Sequence, residues 1–555
     1  MNLVFADWLI VIVMMSLMVW GVLYSRKLMQ SVSDFLSANR SAGRYIVSFS
    51  QGMAQLGAIT IVGMLEMNYI AGFTLRWWEY ANGIVLLIIA VSGWVIYRFR
   101  ETRALTMAQF LEMRYSRNFR IFSGSLAFIS GIINFGLFPA VGARFFMYFI
   151  GLPQTYNFLG IQVSTLATLM IMLLAVSLFF VFVGGQISVM IADFIQGWFV
   201  NVTFVVISIY LVTVIDWNIV TDALLSAPEN ASLINPFNAS GIQDYNFWYF
   251  LIGMIGLVYG KLTWQGTQGY YVSARNPHEA KMGEVLGNWR LIPQWSLFLI
   301  FVPVIAYTVM HHPSYSAIVE SIQPTLDTID NEALRTQITV PMVLTKLLPV
   351  GLIGSFIAIM IAAFVSTHDT YLHSWASIFI QDIVLPLRTK HLPQKLHLRM
   401  LKAAILGVAI FIFFFSLIFQ QSEYIFLFFA ITGSIFAGGA GSVIIGGLYW
   451  KKGTTAAAWT AMITGLVISV GGIILQQVFP GFPINGQMFW GIAMFSSAGS
   501  YVLVSLLSRK PDFNLDKLLH RGKYSIEDDS AVVTKAHSKI WKYFGVGKEF
   551  TKGDK

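Results

Sequence analysis

The sequence predicts an all-α polytopic membrane protein with about thirteen transmembrane helices, and three observations carry that prediction. Of 555 residues, 56% are hydrophobic and 11% charged, with a mean hydropathy of +0.68, which leaves too little polar surface for a soluble fold of this size. Apolar segments long enough to cross a bilayer recur near residues 15, 58, 88, 135, 172, 202, 257, 300, 365, 409, 436, 467 and 497. Basic residues gather in alternate connections: Arg26, Lys27, Arg40 and Arg44 after the first span, Arg98, Arg100, Arg103, Arg114, Arg117 and Arg120 after the third. Arg275 and Lys281 follow the seventh, and Arg388, Lys390, Lys395 and Arg399 the ninth. The connection from Asp216 to Tyr245 holds Asp216, Asp222, Glu229 and Asp244 with no Lys or Arg. An excess of Lys and Arg marks the cytoplasmic side. The N-terminus is therefore expected outside and the C-terminus in the cytoplasm, in a plasma membrane or a bacterial inner membrane.

The formal charge of +9 sits in short loops and the tail, so it speaks for the lipid bilayer as partner and not for nucleic acid. The absence of cysteine excludes disulfides, thiolate metal sites and cysteine nucleophiles.

In chain order, residues 1–44 are expected to form a leading transmembrane helix and a cytoplasmic linker. The first segment is long and lacks a basic n-region, so it reads as a retained helix and not a cleaved signal. Residues 45–215 and 246–450 are each expected to hold five spans. The second span contains Ser48, Gln51, Gly52, Gln55, Gly57, Thr60 and Gly63, a composition that lets a helix unwind and expose carbonyls. Unwound backbone at membrane depth is tolerated where it lines a cavity, and interrupted helices mark secondary transporters. The same glycines would also serve close helix packing. The seventh span repeats the theme, with Gly253, Gly256, Gly260, Gly266 and Gly269 around Lys261, Trp264 and Gln265. Two interrupted spans five apart suggest a pair of inverted five-helix repeats. Between them lies an extracellular loop, 216–245, with sequons at Asn230 and Asn238. Two peripheral helices, 451–508, and a basic cytoplasmic tail, 509–555, complete the chain. Lys517, Arg521, Lys523, Lys535, Lys539 and Lys542 suit the tail to anionic headgroups.

Within the ninth span, Ala363 to Thr370 reads Ala-Phe-Val-Ser-Thr-His-Asp-Thr. Ionisable residues inside a membrane are expensive and point to function. Ser366, Asp369 and Thr370 share one helix face, with Thr367 beside them. Hydroxyls with a carboxylate suit a small hard cation such as Na⁺. Back-bonding of Ser and Thr to helix carbonyls is the plainer reading of the hydroxyls.

Several motifs then carry a resemblance. Asp34-Phe35-Leu36-Ser37-Ala38-Asn39-Arg40-Ser41, Thr106-Met107-Ala108-Gln109-Phe110-Leu111-Glu112-Met113-Arg114-Tyr115-Ser116, Gly184-Gly185-Gln186-Ile187-Ser188 with Asp193 and Gln196, and Gly446-Gly447-Leu448-Tyr449-Trp450-Lys451-Lys452 occur in order. Together the chain resembles the sodium/solute symporters over about residues 5 to 507, with Gln186 standing where a plain hydrophobic is usual. The resemblance implies a LeuT-like 5+5 inverted-repeat core with broken first and sixth core helices, alternating access, and Na⁺ as coupling ion. It places the family's sodium site on Met53, Leu56, Ala363, Ser366 and Thr367, and a second sodium, found in some members, on Asp193. Asp369 and His368 are less usual in the family. Asp369 adds charge to the ion site, meets a substrate amine, or neutralises Lys261 or Arg290, and proton coupling is a secondary reading.

Solute candidates are Gln55, Thr60, Glu79, Asn82, Lys261, Trp264 and Gln265, with Arg144 an outlier better suited to snorkelling. Glu79 resembles the acid that contacts hydroxyls in sugar-carrying members. Carboxylates, amides and an aromatic face suit a sugar or polyol, whereas Lys261 and Arg144 suit a carboxylate. The expected function is Na⁺-coupled symport of a small organic solute. An uncoupled facilitator or a membrane-embedded solute sensor is the alternative, and no enzymatic constellation is visible.

Overall fold

A computed structural model describes residues 3–28, 31–104, 106–293, 298–388, 392–421, 423–479 and 482–525. Lys390, Lys535, Lys539, Lys542 and the Arg290 side chain lie outside the described set. The helices are α1 (Phe5–Ser25), α2 (Val32–Ser37), α3 (Arg44–Gln55), α4 (Ala58–Ser92), α5 (Ile96–Glu101), α6 (Met107–Arg114), α7 (Arg117–Phe135) and α8 (Phe138–Ile150). A hairpin, β1 (Thr155–Phe158) and β2 (Ile161–Ser164), pairs antiparallel with Thr155 opposite Ser164. After it come α9 (Thr165–Val214), α10 (Trp217–Leu225), α11 (Phe247–Tyr259), α12 (Gln268–Ser273), α13 (Pro277–Pro293) and α14 (Leu299–His311). The rest are α15 (Ser316–Leu326), α16 (Glu332–Leu347), α17 (Leu352–Ile378), α18 (Leu385–Leu387), α19 (Gln394–Ile418), α20 (Ile425–Tyr449), α21 (Thr455–Val478), α22 (Gly486–Leu507) and α23 (Leu515–Leu518).

Burial runs in stripes with apolar residues on both sides, as lipid requires. On α1, Val11, Met14, Met18 and Val22 are buried at helical spacing, while Ile12 and Trp20 on other faces are exposed. Polar residues start the helices at loop ends: Asp216, Asn246, Asn331, Thr454 and Asn485 each accept a backbone N–H of the first turn.

Nine described helices are long and apolar enough to cross a membrane, and α11 and α14 are shorter apolar helices. The expectation of about thirteen counts differently because glycine turns fuse neighbouring spans. The stretches Ala58–Glu101 and Thr165–Val214 run for 44 and 50 residues, where a bilayer needs about 20. Each carries a glycine with left-handed backbone, Gly72 (φ 55°) and Gly185 (φ 54°). A Cβ on Gly72 would stand 2.8 Å from Leu233 Cβ, and one on Gly185 2.5 Å from the Phe35 ring. Only glycine satisfies both the φ and the close approach.

The two interrupted spans are interrupted. Leu56 (φ −99°, ψ 61°) and Gly57 (ψ 163°) leave helical geometry between α3 and α4. Residues 260–264 separate α11 from the turn that leads into α12, with Leu262 at φ 62°. The second break satisfies its own carbonyls: Thr263 Oγ1 donates to Gly260 O (2.7 Å) and Gln265 Nε2 to Leu262 O (2.8 Å). At the end carrying the basic loops, the backbones leading into α3 and out of α12 join. Ala42 N donates to Ser273 O (3.0 Å) and Arg275 N to Ala42 O (2.9 Å).

Candidate functional site

The break after α3 comes to lie against the middle of α17 because Gly57 has no side chain. A Cβ there would overlap Thr367. Thr367 Oγ1 reaches Ala54 O at 3.5 Å. The last four carbonyls of a helix lack intrahelical acceptor duty, and here they end opposite hydroxyls. Met53 O takes one short-range bond from Leu56 N (3.0 Å) and keeps a lone pair. Met53, Leu56, Ala363, Ser366 and Thr367 are all buried, and α3, α9 and α17 pack together around them.

From α9 comes Asp193, fully buried. Ser366 Oγ donates to Asp193 Oδ1 (2.6 Å), and the Tyr270 hydroxyl donates to Oδ2 (2.6 Å). The Tyr270 oxygen also lies 2.6 Å from Thr370 Oγ1, and Thr370 Oγ1 is 3.4 Å from Asp369 Oδ1. Two carboxylates, Asp193 and Asp369, are thus linked through Tyr270 and Thr370. Each hydroxyl carries one proton. With those of Ser366 and Tyr270 given to Asp193, the single Thr370 proton serves both the Tyr270 oxygen at 2.6 Å and Asp369 Oδ1 at 3.4 Å. Among the described residues, Asp369 Oδ2 has no partner, nor has either polar atom of the buried Gln196, one turn from Asp193. Buried acceptors without partners cost ~1–3 kcal/mol each, more when charged. The donor set is oxygen throughout: carbonyls, hydroxyls, carboxylates. Such a set fits a small hard cation. His368 stands apart, with Nδ1 2.7 Å from Phe364 O and its ring stacked on Phe364.

The solute candidates divide. Gln55 is exposed and Thr60 half-buried beside the first break. Glu79 forms an ion pair with Arg76 one turn away, and Arg76 Nε donates to Asn68 Oδ1 (2.8 Å). Among the described residues, Asn82 Oδ1 is buried without a partner. Lys261, at the second break, pairs with Glu284 of α13 (2.5 Å) and not with Asp369. Tyr271 donates to the other Glu284 oxygen and accepts from Gln51 Nε2 (3.0 Å). Glu79 acts on Tyr249 electrostatically, and Tyr249 precedes Lys261 by twelve residues, about 18 Å of helix rise. Glu79 and Lys261 therefore belong to opposite ends of the core. Trp264 Nε1 donates to the Tyr371 hydroxyl (2.8 Å), and its ring meets Trp375 edge to face. Gln265 serves the break itself. Arg144 is half-buried, with Nη1 lacking a partner among the described residues.

Across the core from the basic loops, Glu66 Oε2 accepts the Ile425 N–H at the start of α20 (3.0 Å). Asn68 Nδ2 donates to Leu299 O at the start of α14 (2.5 Å). These bonds tie α4 to α14 and α20. Sequence reasoning missed Glu66, Tyr270 and, as a member of the candidate cluster, Gln196. The signal was there for Glu66 and Gln196, which are polar side chains inside apolar spans. Tyr270 gives none, because a tyrosine after a break reads equally well as an interface aromatic.

A family model described as the sodium:solute symporter family matches residues 35–465. The chain is 25% identical over 488 residues to a sodium/glucose cotransporter of Vibrio parahaemolyticus, covering 83% of this chain and 82% of that one. It is 23% identical over 445 residues to a sodium/pantothenate symporter of Haemophilus influenzae, covering 78% and 83%. With a sodium/myo-inositol cotransporter of Mus musculus it shares 22% over 525 residues, covering 87% and 70%. Among solved structures the fold is similar to the substrate-bound, outward-open state of a Na⁺-coupled sialic acid symporter, at a TM-score of 0.73 and 17% identity, covering 92% and 99%.

Proposed function

Because the chain belongs to the sodium:solute symporter family, we propose that it uses Na⁺ to take up a neutral polyhydroxylated solute, a sugar or polyol. Membrane transport by Na⁺-coupled symport on a LeuT-like helical core is common ground for the family and for this chain. The solute, the ion ligands and the orientation are our reading. Thirteen spans follow if the two fused stretches are each counted twice and α11 and α14 are counted with their continuations. The basic end is then cytoplasmic, and residues 45–215 and 246–450 are the two repeats.

The observation that carries the ion site is the cluster of buried oxygens around Asp193 and Asp369, with Asp369 Oδ2 unmet among the described residues. Met53, Leu56, Ala363, Ser366 and Thr367 hold one Na⁺, in the arrangement that the family resemblance implies. Asp193, Asp369, Ser366 and Thr370 supply the oxygen ligands of a second. For the solute, Lys261 is neutralised by Glu284 and Arg76 by Glu79. Neither is left to recognise a carboxylate, Arg144 is better suited to snorkelling, and Gln55, Thr60 and Asn82 offer hydrogen bonds of the kind hydroxyls use. The glucose and myo-inositol relatives point the same way.

Na⁺ and solute raise each other's affinity through the shared α3–α4 break, as linkage requires. One charge crossing ~100 mV is worth about 2.3 kcal/mol. A tenfold Na⁺ gradient adds about 1.4 kcal/mol. One ion therefore supports accumulation of roughly several hundredfold.

The test is thermal stability of the purified protein against sugars, polyols, amino acids and organic acids, with Na⁺ or choline. A sugar or polyol should raise the melting temperature only with Na⁺, and Ser366→Ala/Thr367→Ala should remove that dependence. Asp369→Asn should raise the Na⁺ concentration required by about tenfold or more. Stabilisation indifferent to Na⁺ would sink the coupling assignment, and a response confined to organic acids would sink the solute class.

A further inference from the structure

Below the second break the core opens toward the basic end. A throat of about 50 Å³ runs past Gln265 at the break and past Ser374 and Ser377 of α17, with room for a few waters and too little for a sugar ring. Thr106 and Gln381 line this throat and also line a chamber of about 420 Å³, which lies within the size range of small-molecule sites. No residue assigned above to a Na⁺ site lines either cavity.

The ionised groups at the chamber wall balance. Arg120 pairs with Glu112 (2.8 Å) and with Asp382 (3.0 Å), Thr106 Oγ1 donates to Asp382 Oδ1 (2.7 Å), and Arg117 donates to Pro386 O. Two arginines thus stand with two carboxylates, and the set favours neither an anion nor a cation. What the wall offers is both senses of hydrogen bond, from guanidinium, carboxylate and the Gln381 amide, beside an apolar face of Leu385 and Pro386. A hydroxyl donates one hydrogen bond and accepts two, so a solute rich in hydroxyls uses both senses at once, and its C–H groups suit the apolar face. From these facts we infer that the chamber is a second station for the neutral polyhydroxylated solute, a reading that rests on the solute class proposed above. The throat separates the station from the core, and because no ion ligand reaches it, the station holds solute with or without Na⁺.

The experiment uses the full chain in phosphatidylcholine nanodiscs. Leu385→Cys puts a single thiol in the half-buried chamber wall of a chain that has no cysteine of its own. Its rate of modification by methyl methanethiosulfonate is read against glucose, sorbitol and myo-inositol, each in Na⁺ and in choline. Saturable slowing by at least one of the three is expected, at the same half-maximal concentration in both salts, with no slowing at the exposed Lys452→Cys. Adding Gln381→Leu should raise that concentration about tenfold. If Leu385→Cys does not fold, Gln109→Cys reads the same wall. No slowing at either thiol overturns the station, and it leaves the proposed function standing where a Na⁺-dependent rise in melting temperature is found. Slowing that needs Na⁺ and disappears in Ser366→Ala/Thr367→Ala also overturns it, because the effect then comes from the core site. Slowing in both salts without any Na⁺-dependent rise upholds the station and rejects the coupling.

Discussion

Glu423 lies half-buried in the connection before α20 and accepts from Gln476 Nε2 (2.8 Å). Burial, and then Asp244 nearby, push its carboxyl up to about 7. Well below pH 4.5 the folded and unfolded chains both hold this proton, and its contribution to stability is fully present. Between pH 4.5 and 7 the unfolded chain releases it first, so stability falls as pH rises. Glu423→Gln removes that loss, and its stabilising effect should grow by up to about 2 kcal/mol from pH 5 to pH 8. A melting-temperature difference between variant and parent that stays flat over that range would refute it. Glu279 shows the opposite outcome, because burial pushes it up but the Arg44 hydrogen bonds and charge outweigh burial and hold it below the usual range. At this scale the buried hydroxyls and carboxylates of the candidate site were legible as residues, since ionisable side chains in an apolar span are costly. Which acceptor each hydroxyl serves was not, because that depends on atoms brought together from α9, α12 and α17.

The pair Lys261–Glu284 links the second break to α13, with side-chain exposures of 15% and 7%. Removing one member of such a pair strands the other. Glu284→Gln is expected to cost about 3 kcal/mol, and Lys261→Met/Glu284→Gln to recover most of it. Unfolding of the two single variants and the double variant measures this directly, and additive losses would mean the pair is not coupled. The sequence located both breaks from glycine content and polar insertions. It did not reveal that Lys261 would be neutralised by a residue 23 positions later, because two charges on separate elements carry no shared period. Glu79 was hidden in the same way. As a lone acid it suits sugar hydroxyls, whereas its ion pair with Arg76 fixes it first as part of α4.

Orientation belongs to the whole molecule, and the absence of cysteine makes it measurable one site at a time. Ser226→Cys, exposed after α10, should react with a membrane-impermeant maleimide on intact cells, and Lys452→Cys, exposed between α20 and α21, should react only after permeabilisation. The reverse pattern would invert the topology. Fold class was the most legible property, because lipid demands long apolar helices and alternate basic loops. The span count was blurred where Gly72 and Gly185 let one span run into the next without a polar connection. The join between Ala42 and the Ser273–Arg275 segment has a different kind of consequence. Its bonds run between main-chain atoms, so they survive any substitution that fits, except proline at 42 or 275, where the donated N–H would be lost. Drift in the residues that recognise a solute leaves this joint intact. One framework can thereby be inherited unchanged while its cargo specificity diverges.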